Sequence, residues 1–96
     1  MKKSVRFEFH LYVAGEAENS LAASANLSNI CDRLVPGQYS VERIDVLQHP
    51  LKALAAGVLM TPTLLRMMPL PVRRIVGSLS DTRVVVQTLE LPTPTP

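Results

Sequence analysis

Val5, Phe7, Phe9, Leu11 and Val13 alternate with Arg6, Glu8 and His10 near the start of the chain. A period of two in apolar residues places one face of a β-strand against a core, and no helix accommodates it. Residues 14–18 then read as a loop, and Asn19 or Ser20 is placed to cap a helix by accepting a hydrogen bond from a first-turn N–H. Within that helix Leu27, Ile30, Cys31 and Leu34 fall at i, i+3, i+4 and i+7 on one face, and Val35-Pro36-Gly37 stops it. Residues 39–46 predict a second strand, with Val41 and Ile44 out of phase, so a bulge or burial on both faces is expected. Strand, helix and strand in this order make a right-handed crossover between parallel strands. The first half of an α/β fold is thereby set.

The second half carries conflicting signals. Pro50 opens a short Ala/Leu-rich helix over residues 51–56, at a position where its missing N–H costs nothing, and Gly57 ends it. Residues 64–68 fit either a short helix or an edge strand, because Pro69 and Pro71 close the segment quickly. Residues 72–76 set two arginines among β-branched residues and predict a strand. Residues 77–81 form a turn leading to a helix start at Asp81, yet Val84, Val85 and Val86 place a strand-forming run at the centre of that helix. Opposed local and periodic preferences mark a segment able to take two structures.

With 96 residues, the chain suffices for a single small domain, expected over residues 1–91, with the Pro/Thr-rich residues 92–96 as an extended, disordered tail. Hydrophobic residues make up 47% and aromatic residues only 4%, so the core must be aliphatic. A net charge of +2 falls short of the basic footprint of a nucleic-acid binder. The longest apolar region, residues 51–65, contains Lys52, Gly57 and Pro62 and is shorter than the roughly 20 residues a membrane span needs. One cysteine, Cys31, excludes a disulfide scaffold and fits a reducing compartment, so a cytoplasmic protein is expected. At this size, association with copies of itself or a partner would add stability.

Nothing in the sequence supports catalysis. His10, His49 and Cys31 lack metal-ligand spacing, Glu16 and Glu18 sit in a polar loop, and Gly15 and Gly57 stand without the spacing of a phosphate-wrapping loop. No catalytic residue, metal or cofactor is expected. Arg73 and Arg74 are adjacent on a strand and point to opposite faces, so at most one shares the core side. They read most simply as an exposed pair, although one could offer its planar fork to a carboxylate or phosphate.

Met60-Thr61-Pro62-Thr63-Leu64 places a proline between threonines at the start of an apolar segment, as thioredoxin-like domains do with their cis proline. A lone cysteine makes a dithiol motif impossible, so such a frame would serve something other than redox chemistry. Together with Leu11-Tyr12-Val13-Ala14-Gly15, Asn19-Ser20, Tyr39, Ile44-Asp45-Val46-Leu47, Pro50 and Pro71-Val72-Arg73-Arg74-Ile75-Val76-Gly77, the motif closely resembles the KaiB family. The resemblance implies an α/β, thioredoxin-like fold whose C-terminal half is metamorphic, with Thr61, Pro62 and Thr63 at the hinge. In the family's ground state, usually a tetramer, the segment after Pro62 is helical and that around Val84 is a strand; in the monomer that binds KaiC the two exchange. It further implies a non-enzymatic regulator of a KaiC-like ATPase in circadian-type or stress-related signalling, homo-oligomeric as a tetramer or dimer. Partner contacts are expected at Arg73, Arg74, Tyr12 and Glu42. Ala22, Ala25 and Glu42 stand where clock-type members usually carry basic residues, and Leu54-Ala55-Ala56 where they carry an acidic helix. Those departures favour a divergent member with an altered partner, and they keep open a thioredoxin-like adaptor for a histidine kinase or another stress-response partner.

Overall fold

Alternation of apolar residues produces the first strand as expected: β1 (Phe7–Val13) buries Phe7, Phe9, Leu11 and Val13 on one face. The computed structural model describes residues 6–93, so Val5 and the last residues of the Pro/Thr tail lie outside the described residues. The chain continues through α1 (Glu18–Leu34), β2 (Tyr39–Asp45), α2 (Pro50–Ala55), β3 (Thr63–Met68), β4 (Arg73–Val76) and α3 (Thr82–Leu89). The four strands form one sheet in the order β2-β1-β3-β4. β1 and β2 run parallel, joined through α1, while β3 and β4 pair antiparallel.

Two apolar layers flank this sheet. The larger joins the odd-numbered face of β1 and Leu64 of β3 to Ala23, Leu27, Ile30 and Cys31 of α1 and to Val85 and Leu89 of α3. The smaller collects Tyr12, Ile44, Ala53 and Leu65 beneath α2. The larger layer covers one face of the central strands along their length, while the smaller covers the other face only around Tyr12 and Leu65 and leaves Glu8 exposed; α1 with α3 occupies the opposite side from α2. Fully burying a large aliphatic side chain contributes about 1.5–3 kcal/mol, and with two phenylalanines in the whole sequence that stabilisation comes mainly from leucine, isoleucine and valine.

Several expectations require correction. The start of α1 is at Glu18 with Ala17 as N-cap and no side-chain cap, so neither Asn19 nor Ser20 caps it. Ser20 instead turns inward, 1% exposed, and its hydroxyl accepts from the Ala14 amide at 3.2 Å. β2 has neither a bulge nor two buried faces. Its register with β1 is continuous from Phe7–Tyr39 to Val13–Asp45, and as an edge strand it needs only Ile44 under α2, leaving Val41 exposed on the other side. Residues 64–68 form a strand, but not at an edge: β3 lies between β1 and β4. The irregularity expected in β2 occurs instead where β3 meets β1, between the pairs Glu8–Met68 and Phe9–Arg66.

The contested C-terminal segment is a helix. Asp81 is its N-cap, its carboxylate accepting from the Val84 amide at 3.3 Å. Val85 and Leu89 lie at i and i+4 in the large core, so burial outweighs the low helix propensity of three consecutive valines.

Candidate functional site: the surface around α2

Arg73 and Arg74 leave β4 in opposite directions, as adjacent strand residues must. Arg74 pairs in register with Leu65 and shares its face, on the side of α2. Its guanidinium donates to the Gly57 carbonyl at 2.9 Å and to the Ala56 carbonyl at 3.0 Å. Helix C-termini leave carbonyls without intrahelical donors and carry partial negative charge, so Arg74 both completes and electrostatically favours the end of α2. Gly57 supplies the turn that ends α2. It leaves the helix at φ +72, a left-handed conformation that costs a side-chain-bearing residue, and an added Cβ would lie 3.5 Å from the Arg74 guanidinium. Arg73, on the other face, approaches Glu90 beyond α3 at 3.5 Å.

Glu42 holds the opposite flank of α2. Standing two residues before Ile44 on the α2 side of β2, it accepts from Lys52 at 2.8 Å. The hydrogen bond and charge of Lys52 lower the Glu42 carboxyl below its usual value, and Glu42 raises Lys52 in turn. Both side chains are half exposed, at 53% and 52%, so the pair orients α2 more than it stabilises the fold. α2 is thus tied to both outer strands of the sheet.

Tyr12, expected as a surface contact, is a core residue. Only 3% of it is exposed, because the even-numbered face of β1 is covered by α2 together with Ile44, Ala53 and Leu65. Of the expected contact residues, the structure brings Glu42 and Arg74 to the borders of α2, places Tyr12 beneath it, and sends Arg73 to the far face. Between the two ties, α2 and its adjoining loops present Leu47, Leu51, Leu54, Leu59 and Met60, each at least 65% exposed. A row of exposed large apolar residues is a feature of interaction surfaces. Its signal in the sequence was the Leu/Ala-rich stretch itself, in which Ala53 is the residue of α2 buried against the sheet.

The Thr61-Pro62-Thr63 segment lies at the end of the sheet where β3 begins. Its Thr61–Pro62 bond is cis, as expected for a thioredoxin-like frame. The Thr63 hydroxyl donates to the Met60 carbonyl, and the Pro62 carbonyl accepts from the Gly77 amide at 2.9 Å, joining the start of β3 to the end of β4. At the same end of the sheet, where β1 and β2 finish, one Asp45 carboxylate oxygen accepts from the amides of Gly15 and Leu47 at 3.1 and 2.9 Å, ordering both loops.

No group of three or more His, Cys, Asp and Glu side chains converges as a metal site among the described residues. Cys31 is fully buried, and burial, with the adjacent Asp32 carboxylate, pushes its thiol up to about 12. A thiol so protonated is a poor nucleophile. Within the described residues, no helix is long and apolar enough to cross a membrane. Sequence reasoning missed Arg66, the largest fully buried side chain. A lone arginine between leucine and methionine in an apolar strand was its signal.

The sheet order, the parallel β1–α1–β2 unit, the antiparallel β3–β4 pair and the threonine-flanked cis proline together define an α/β, thioredoxin-like protein with one buried cysteine. Solved structures agree on the fold: the N-terminal domain of Synechococcus elongatus SasA superposes with a TM-score of 0.74 at 19% identity, over 94% of this chain and 89% of that one. Mitochondrial thioredoxin 3 from Saccharomyces cerevisiae gives 0.71 at 15% identity, over 94% and 82%. The KaiB domain model matches residues 10–91, and the chain belongs to the KaiB family. It is 47% identical over 81 residues to the circadian clock oscillator protein KaiB of Synechococcus elongatus, covering 84% of this chain and 79% of the relative. The circadian clock protein KaiB3 of Synechocystis is 38% identical over 86 residues, covering 90% and 84%.

Proposed function

We propose that this chain is a non-enzymatic regulatory protein that binds a KaiC-like ATPase in circadian-type or stress-related signalling. Membership of the KaiB family across residues 10–91 carries the reading. The fold adds support, because its β3 strand and α3 helix correspond to the arrangement that the family resemblance assigns to the ATPase-binding monomer. In that reading the chain also adopts a homo-oligomeric ground state, a tetramer or dimer, with the two segments exchanged about Thr61-Pro62-Thr63. The binding surface comprises α2 with its exposed leucines, bordered by Glu42 and Arg74, while Arg73 lies on the opposite face and outside it. Tyr12 supports it from below.

Gel filtration of the purified protein with the KaiC homologue of its own organism tests this. A co-eluting complex is expected, weakened at least tenfold by Arg74→Glu while the far-ultraviolet circular dichroism of the free protein is retained. Failure to co-elute with every nucleotide state of the ATPase would overturn the proposal.

One observation favours a second reading. Leu51 and Leu54 are 79% and 66% exposed on the helix where clock-type members are expected to be acidic. An altered α2 of this kind suits an adaptor for a different partner, such as a histidine kinase. Recovery of a kinase and no ATPase in a pull-down with the intact chain would favour it.

A further inference from the structure

Arg66 is 1% exposed and lies in β3 between Phe9 of β1 and Arg73 of β4, on the face shared with Leu64. A guanidinium has no place in an aliphatic layer unless its donors are used. One terminal nitrogen donates to the Leu89 carbonyl, at the last residue of α3, and lies 3.3 Å from the Glu90 carboxylate. The other donates to the Pro71 carbonyl, in the β3–β4 connection, at 2.8 Å. Its Nε has no partner among the described residues.

We propose that Arg66 is a conformational latch, a single side chain that fastens α3 to the β3–β4 hairpin so that the two open and close as one unit. Three observations carry this. The acceptors converge on Arg66 only while α3 is helical, because the Leu89 carbonyl is one of the last-turn groups and Glu90 reaches the guanidinium from a left-handed C-cap at φ 56. Secondly, α3 has little helix stability of its own: eight residues with three valines fall below the length at which isolated helices persist. Thirdly, the counter-charge is incomplete. The Glu90 side chain is 58% exposed and divided between Arg66 and Arg73, so the buried cation depends on the α3 carbonyl for its compensation. Lysine could not replace it, since a single ammonium does not bridge the hairpin connection and the helix end as a planar fork does. All of these contacts lie within the chain, and none involves the proposed ATPase.

Hydrogen exchange on the intact chain tests the latch. In the native protein, the amides of α3 and of β4 are expected to open together, with protection factors agreeing within threefold. Arg66→Met keeps the length of the side chain and removes its donors. It should speed exchange in α3 at least tenfold, with β4 changing less than threefold and Ala23 to Ile30 of α1 less than twofold. Arg66→Lys, the variant to read should Arg66→Met not fold, should release α3 from β4 in the same sense. Unchanged exchange in α3, or an equal rise in α3 and α1, would overturn the proposal.

Discussion

Cys31 and Tyr39 show how single side chains take their chemistry from the fold. Cys31 is sealed in the large core and its thiol is pushed up to about 12 by burial first and Asp32 second. Tyr39 donates its hydroxyl to Asp32 at 2.6 Å, and that bond, more than burial, raises it to about 12. In both cases the folded state holds the proton more tightly than the unfolded chain, so the associated stability is present below pH 9 and is lost as pH climbs toward 12. Urea midpoints should therefore be level near pH 8 and fall progressively between pH 9 and 11, with Cys31→Ala lessening the earlier part of the fall. Iodoacetamide at pH 8 should label Cys31 only in urea. Labelling of the native protein at the rate of a free thiol would contradict the burial. The burial of Cys31 was legible in its helical phase with Leu27 and Ile30. That of Arg66 was not, because no local pattern reveals that a strand residue will find helix-end carbonyls more than 20 positions away.

Among the elements, β1, α1 and α2 were legible because their apolar periods and stop signals refer to neighbours close in sequence. β2 misled because its few apolar residues reflect an edge position, a property of sheet order that its own residues do not encode. β3 misled differently: two prolines after Met68 suggested an exposed edge, yet antiparallel pairing with β1 and β4 places it inside the sheet. The surface around α2 was half legible, since Glu42 and Arg74 were marked but the positions they tie depend on the packing of β4 against α2. α3 is the element where the sequence conflict was physical. Its valines disfavour a helix, while Val85 and Leu89 in the core and the Asp81 cap favour one. Asp81→Ala should cost about 1 kcal/mol. For a domain of this size that lowers the thermal midpoint by roughly 4–8 °C, measurable by calorimetry. An unchanged midpoint would mean that the cap does not anchor α3.

For the molecule as a whole, one sheet carries two unequal layers, and the layers divide the work. The α1 and α3 side holds the large core, while the α2 side keeps a small core and displays leucines to solvent. A face that gives so little of its apolar area to folding is available to a partner. The proposed function gives that face to a partner protein. The most direct test is a titration of isotopically labelled protein with the KaiC-like ATPase, read by nuclear magnetic resonance at residues 63–68 and 82–89. The account predicts saturable binding, with strand shifts over the first segment and helix shifts over the second in the bound protein. Absence of binding, or a bound state with helix over the first segment and strand over the second, would contradict it.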